Sequence, residues 1–433
     1  MLIANILDKL SFFSRRGTLS AFIIFACLSI SALNANPFAE ETVAPFDRLL
    51  EFSGWSSVQS GVQAVHTERS DILDSQLPTW ITLKDQIRRG ESPLWYPNGA
   101  GGQPISLELC NPAFLLFLAV KDNALAYYLV SLAKLVISGV GAYLLLRTFL
   151  RWLPSVWGGM VFMLCGFNAA WLFWEQVTTA MWIPWLFWTA LMYLKTDDKK
   201  WLPAITIISL LLIFGGFPPV AAFGFYSFVL LLIIWNGYDF VSRDRLQAQG
   251  NGVIIKLISI KTALPLLAAG ISFIMSAIVL IPFRDGMAGI NLMSRTGGTP
   301  FSLADLRLFF FYENPPQVER TAYTGVLALI FSLIGIISVL RTHDDKLRKF
   351  IIINAVLVII TILIAFGLLP HQLIRAIPVF NSNPWNRLIV VTLLALSALS
   401  AVGLDFGTAK LHSLSSRYLR LTPLSAQRMI AVV

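Results

Sequence analysis

Long apolar runs recur along this chain from about residue 19 to beyond residue 400. A helix that crosses a bilayer needs roughly 20 mainly apolar residues, and a shorter one crosses where the bilayer thins. We mark ten candidate spans, several of them short. They are residues 19–33, 124–146, 155–171, 178–194, 201–214, 220–235, 262–282, 322–340, 350–369 and 388–404. The sequence therefore predicts an all-α polytopic integral membrane protein with about ten transmembrane helices, in a single domain over residues 1–433.

The composition fits a lipid solvent. Charged residues make up only 13% of the chain and hydrophobic residues 56%, whereas a soluble domain has about 25% charged residues. The net charge of +9 would suit a nucleic acid, but the Lys and Arg residues lie at the ends of apolar runs and form no patch. We therefore expect the lipid bilayer as partner and no nucleic acid. Since no G-x-G-x-x-G or P-loop pattern occurs, the sequence does not support nucleotide binding.

The basic residues also predict the orientation of the chain. With the N-terminus inside, the clusters at 15–16, 195–200 and 341–349 all fall on the cytoplasmic side, whereas the short connections around Glu175 and at 215–219 carry no Lys or Arg. Both termini are predicted to be cytoplasmic, in a multi-pass membrane protein. We expect the first apolar run to be a retained anchor, with a cleaved signal peptide as the alternative.

Two of the predicted exterior connections are too long to be simple turns. They cover residues 34–123 and 283–321, and loops of this length in a compact protein are usually functional. The first is predicted to contain short amphipathic helices and the catalytic residues.

Two carboxylates in the first loop are spaced for joint action. Asp71 and Asp74 are three residues apart and share one face if the segment is helical. Together they could bind a divalent cation or deprotonate an acceptor hydroxyl. The alternative is a solvated cluster of loop charges, and the residues alone leave both interpretations open.

The segment PLWYPNGAGGQP at residues 93–104 follows these acids. Its prolines restrict the backbone and its glycines permit tight turns, which is typical of a shaped loop. Trp95 and Tyr96 could stack on a sugar ring, or lie at the headgroup boundary where aromatic side chains accumulate.

These residues resemble those of a known family. PLWYPNGAGGQP, the following Asn111 and Pro112, and the late segment IPVFNSNPWNRLIVVTLLALSALSAVGLD are similar to segments of the bacterial YfhO-like membrane proteins, which belong to the GT-C class of glycosyltransferases. The matching late residues are Pro378, Phe380, Arg387, Gly403, Leu404 and Asp405. The resemblance covers most of the chain and implies that the protein lies in the bacterial inner membrane.

The resemblance implies a hexosyltransferase-type enzyme that moves a sugar from a polyprenyl-phosphate-linked donor to an extracytoplasmic glycan, lipid or protein acceptor. Asp71 or Asp74 would then activate the acceptor, either as the base or as a ligand of Mg²⁺ or Mn²⁺. Trp95, Tyr96 and Gln103, which lie within the resembling motif, are the expected substrate contacts.

Glu175 is the third candidate catalytic acid. It lies in the short exterior connection WLFWEQVTTAMW, and GT-C enzymes gather acids from more than one exterior loop. The alternative is a carboxylate at the start of the next helix, among the interface residues Trp171, Trp174 and Trp182.

A departing lipid phosphate needs a cationic partner, and three basic residues are candidates. Arg320 and Arg387 lie near predicted exterior helix ends, where each could bind phosphate in a bidentate manner or act as a snorkelling anchor. Lys134 lies in the middle of the 124–146 span, where an uncompensated ammonium is costly. It is expected to contact either other protein groups or the carrier phosphate.

Two other functions compete with sugar transfer. In a secondary transporter or lipid flippase, Lys134 would be the coupling or substrate charge and the Gly-Pro breaks would interrupt helices. The absence of an inverted repeat in the sequence and the concentration of polar residues in exterior loops argue against this. A non-catalytic envelope assembly protein is the third alternative.

Overall fold

The computed structural model describes residues 17–38, 41–57, 64, 71–98, 102–105, 107–244, 251–287, 300–313 and 317–419. These residues are mainly helical, with one two-stranded hairpin. In chain order the α-helices are α1 (Gly17–Leu33), α2 (Leu77–Arg88), α3 (Leu107–Cys110), α4 (Pro112–Ala119), α5 (Asn123–Arg147), α6 (Trp152–Met163), α7 (Gly166–Ala170), α8 (Glu175–Ala180), α9 (Ile183–Thr196), α10 (Trp201–Phe214), α11 (Pro218–Asp244), α12 (Asn251–Met287), α13 (Val326–Ser338), α14 (Asp345–Ala365), α15 (His371–Arg375) and α16 (Ile389–Leu419).

Every predicted span is largely helical, and the multi-pass membrane class is confirmed. Among the described residues, six helical stretches are long and apolar enough to cross a membrane, and three shorter apolar helices accompany them. The predicted span 155–171 is divided between α6 and α7, and the span 178–194 between α8 and α9. The count of about ten therefore stays a prediction.

Helix α16 lies at the centre of the bundle. In the span Trp385–Lys410, which includes most of α16, 89% of an 18-residue apolar stretch is buried, whereas the corresponding share in the span Ile260–Gly286 of α12 is 33%. α16 packs tightly on α13 because glycines meet there: a Cβ on Gly335 would contact the Leu399 carbonyl, and a Cβ on Gly403 would contact the Phe331 carbonyl. The core of the protein therefore surrounds α16, and α12 lies at its edge.

The described residues of the segment 34–123 form a packed cap on the bundle. It contains two single-turn helices, Phe46–Glu51 and Ile72–Gln76, then α2, the hairpin of β1 (Trp95–Tyr96) and β2 (Gln103–Pro104), α3 and α4. Trp80 of α2 is buried against Phe114 and Phe117 of α4, with ring centroids 5.8 and 5.4 Å apart. The apolar face of α2 thus packs on α4 within the cap.

A buried lysine fixes the same cap. The Lys84 Nζ donates a 2.7 Å hydrogen bond to Asn123 Oδ1 and lies 4.5 Å from the Phe117 ring centroid. Burial lowers the pKa of Lys84, and the positive charge of Arg88 lowers it further. The first turn of α5 is thereby tied to α2.

Candidate active site

Helix α8 begins with Glu175, and Lys134 supports the turn before it. Lys134 is 2% exposed, and its Nζ donates hydrogen bonds of 3.0 and 3.1 Å to the carbonyls of Leu172 and Trp174. Its charge also acts favourably on the Glu175 carboxylate. Lys134 thus contacts other protein groups, and a contact with the carrier phosphate stays a prediction.

Close backbone approach places Glu175 beside the connection between α10 and α11. Gly216 has φ +94°, and a Cβ there would lie 2.8 Å from the Glu175 Cγ and 2.9 Å from the Asn111 Nδ2. Asn111 caps α4 by accepting a 2.9 Å hydrogen bond from the Ala113 N–H, and its Nδ2 donates to the Gly215 carbonyl at 3.4 Å. Glycine is therefore required at position 216, for its conformation and for the space it leaves.

The cap contributes two polar residues to this site that sequence reasoning missed. Gln76 lies beside the Glu175 carboxylate, and Glu108 acts on it electrostatically. Both amide atoms of Gln76 are buried and make no hydrogen bond of acceptable distance and angle. The amide still lies against the Glu175 carboxylate and has hydrogen-bonding capacity left over, so Gln76 is a candidate ligand contact. We call Gln76, Asn111, Lys134, Glu175 and Gly216 the Glu175 site.

Arg387 lies next to this site, at the entry to α16. Its guanidinium carbon lies 4.9 Å from the Trp171 ring centroid and 5.1 Å from that of Phe217. Trp171 packs on Trp174, which precedes Glu175, and Phe217 follows Gly216. The Arg387 Nε lies 3.1 Å from both carboxylate oxygens of Glu319. Arg387 and Glu175 thus lie at the same end of the bundle.

Arg320 lies elsewhere, in the second long loop (residues 283–321), and its side chain joins two parts of that loop. It pairs with Asp305 in the short helix Leu303–Phe309. Asp305 also accepts hydrogen bonds from the Ser302 N–H and Oγ at 2.7 and 2.8 Å. Burial alone would raise the pKa of Asp305, but the hydrogen bonds from Arg320 and Ser302 outweigh it and hold the pKa below its usual value. Arg320 therefore makes a structural contact with Asp305, and its role as a phosphate partner stays a prediction.

Asp71 and Asp74 lie on the exposed side of the turn that ends at Gln76. The turn thus presents the two acids outward and Gln76 inward. Among the described residues, no group of three or more His, Cys, Asp or Glu side chains is arranged as a metal site. Because the described residues supply no such ligand set, we derive no step through Mg²⁺ or Mn²⁺. The catalytic role of the two Asp residues stays a prediction.

The aromatic motif forms the β1–β2 hairpin, in which Trp95 pairs with Pro104 and Tyr96 with Gln103. Trp95 is 51% exposed, Gln103 is also exposed, and Tyr96 is 7% exposed. Gly102 has φ +101°, and a Cβ there would lie 2.5 Å from the Trp95 ring. Trp95 and Gln103 are therefore accessible to a substrate, whereas Tyr96 belongs to the interior of the cap.

Comparison with solved structures shows a similar fold. The crystal structure of Archaeoglobus fulgidus oligosaccharyltransferase in the apo form matches with a TM-score of 0.50 and 13% sequence identity, over 95% of this chain and 53% of that chain. The structure tethered with an acceptor peptide containing the NVT sequon gives a TM-score of 0.49 and 12% identity, over 94% and 51%. This chain thus spans about half the length of the solved structures. No protein-family model and no curated protein matches the sequence.

The helices and this likeness define the class: an all-α, multi-pass membrane protein that shares the fold of an archaeal oligosaccharyltransferase. The YfhO-like resemblance stays a prediction from the sequence motifs. The bacterial inner membrane and the cytoplasmic position of both termini are likewise still predictions.

Proposed function

We propose that this protein is a GT-C membrane glycosyltransferase. It transfers a hexosyl group from a polyprenyl-phosphate-linked donor to a glycan, lipid or protein acceptor on the extracytoplasmic side. The observation that carries the proposal is the proximity of the Glu175 site to Arg387 at one end of the bundle. The oligosaccharyltransferase-like fold supports the proposal. The proposed class of donor follows from the resemblance of the motif at residues 93–104 to the YfhO-like family.

In this proposal Glu175 is the base. It accepts the proton of the acceptor hydroxyl as the acceptor oxygen attacks the anomeric carbon. The bond between that carbon and the phosphate oxygen breaks, and the phosphate leaves with the electron pair. Arg387 neutralises the phosphate because a guanidinium matches its oxygens in a bidentate geometry. Lys134 positions Glu175, and Asp71 and Asp74 are the alternative bases.

Transport and assembly are less well supported. The ammonium of Lys134 is hydrogen-bonded to two backbone carbonyls, so a coupling role would require breaking both contacts. A non-catalytic assembly protein would have the same fold but no turnover, so an activity assay distinguishes it from the proposed enzyme.

The test is release of polyprenyl phosphate from polyprenyl-phosphate-linked hexose by the purified protein. Glu175→Gln should lower turnover at least about 100-fold, the range in which a general base contributes. The matched control is Glu91→Gln, because Glu91 is exposed and paired with Arg89 on the surface of the cap. If Glu175→Gln stays active and Asp71→Asn combined with Asp74→Asn does not, the base is in the first loop. No turnover with any donor would overturn the proposed enzyme.

A further inference from the structure

The Arg387 guanidinium is already bound to a carboxylate. Glu319 accepts hydrogen bonds from the Arg387 Nε at 3.1 Å through both of its oxygens, and from the Nη2 through one of them. Trp171 and Phe217 pack on the guanidinium, and the Arg387 side chain is 14% exposed. The Nε–Nη2 edge of the guanidinium is therefore occupied, and an anion that binds this edge in a bidentate manner has to displace Glu319.

The surroundings of Glu319 differ from those of Asp305, another carboxylate of this loop that pairs with an arginine. The side chain of Asp305 is 3% exposed and holds Ser302 as well as Arg320. The side chain of Glu319 is 42% exposed, so it can be hydrated on leaving Arg387. The Asp305–Arg320 pair is thus a fixed structural contact, and the Glu319–Arg387 pair is exchangeable.

The backbone at Glu319 is held independently of its side chain. Asn386, the neighbour of Arg387, donates a hydrogen bond from its Nδ2 to the Glu319 carbonyl, and the adjacent Arg320 is attached to Asp305. The carboxylate can therefore rotate away while the loop stays in place.

We propose that Glu319 is an internal competitor for the phosphate of the lipid donor: its carboxylate occupies the phosphate position on Arg387 and is displaced when the donor binds. The competition sets the affinity for the anionic headgroup and keeps Arg387 neutralised between turnovers. This inference rests on the proposed function, because it takes Arg387 as the phosphate contact.

The test is equilibrium binding of farnesyl phosphate and of the uncharged analogue farnesol to the full-length protein in detergent. Glu319→Gln keeps the shape of the side chain and removes its charge. It should tighten farnesyl phosphate binding on the order of tenfold, the value of one charged hydrogen bond, and leave farnesol binding unchanged. Glu319→Asp, which keeps the charge but shortens the reach, should give an intermediate affinity.

Glu313→Gln is the matched control, because Glu313 lies in the same loop and pairs with the exposed Arg307. It should change neither affinity. Arg387→Gln should abolish the preference for the phosphate and, in the double variant, cancel the effect of Glu319→Gln. Equal or weaker farnesyl phosphate binding by the Glu319 variants, or no binding by any variant, overturns the inference. Binding that follows the predicted order without any sugar transfer would instead disprove the proposed enzyme.

Discussion

The Nζ of Lys134 lies 3.1 Å from the carbonyl oxygen of Trp174, the residue directly before Glu175. This contact joins the middle of α5 to the first residue of α8. The position of the candidate base therefore depends on a side chain from another helix.

Replacing Lys134 with Met should remove this support. The carbonyls of Leu172 and Trp174 would lose their donor, and Glu175 would lose a favourable charge. We expect turnover to fall about 100-fold, since a displacement of about 1 Å has this effect in other enzymes. The measurement is sugar transfer by Lys134→Met beside Lys121→Met, an exposed lysine just before α5. Equal activity of the two variants would contradict the role assigned to Lys134.

Gly216→Ala should damage the site without changing any charge. The new methyl group would meet Glu175 and Asn111, and the backbone at φ +94° disfavours any residue with a Cβ. We expect a loss of activity together with a stability loss of about 1 to 3 kcal/mol. Gly237→Ala is the control, because a Cβ there would meet nothing within 4 Å and its φ is not positive. The test compares thermal unfolding and sugar transfer of both variants, and full activity of Gly216→Ala would refute the described contact.

The Asp305–Arg320 pair should make stability depend on pH. Because the pKa of Asp305 in the folded protein lies below its usual value of 3.8, the ionised carboxylate stabilises the fold above that value. The contribution is lost as the pH falls through the folded pKa. Asp305→Asn should lower the unfolding temperature by a few degrees at neutral pH and show a smaller further loss on acidification. Asp285→Asn, at an exposed position, should follow the wild type. Parallel acid curves for all three proteins would contradict the prediction.

The apolar pattern of the sequence predicted the helices well, because lipid requires every backbone group in a span to be satisfied within the helix. The helical positions of the ten marked segments follow from this rule. The division of 155–171 at Leu164 and Cys165, between α6 and α7, could not be predicted, since the apolar run continues through the break. That break depends on tertiary contacts, such as the hydrogen bond from the Gly166 N–H to the Tyr323 carbonyl.

The candidate site was only partly predictable. Glu175, Lys134 and Arg387 stood out because charges are rare in or beside apolar spans. Three other polar residues did not stand out, because the sequence of a long loop does not indicate which helix each residue will contact. These residues are Gln76, Glu108 and Glu319. Gly216 lies in the segment GGFPP, whose glycines and prolines indicate a turn but not which residues the turn will contact.

Because Arg387 lies at the entry to α16, near the end of the chain, it is the last residue of the proposed site to be synthesised. During synthesis Glu175, Lys134 and Gly216 leave the ribosome long before Arg387 does, so a partly inserted chain holds the acid and its support without the cation. Glu319 also precedes Arg387, and is available to pair with it as soon as it arrives. If Arg387 is the phosphate contact, as proposed, the headgroup site is therefore incomplete until the central helix is in place.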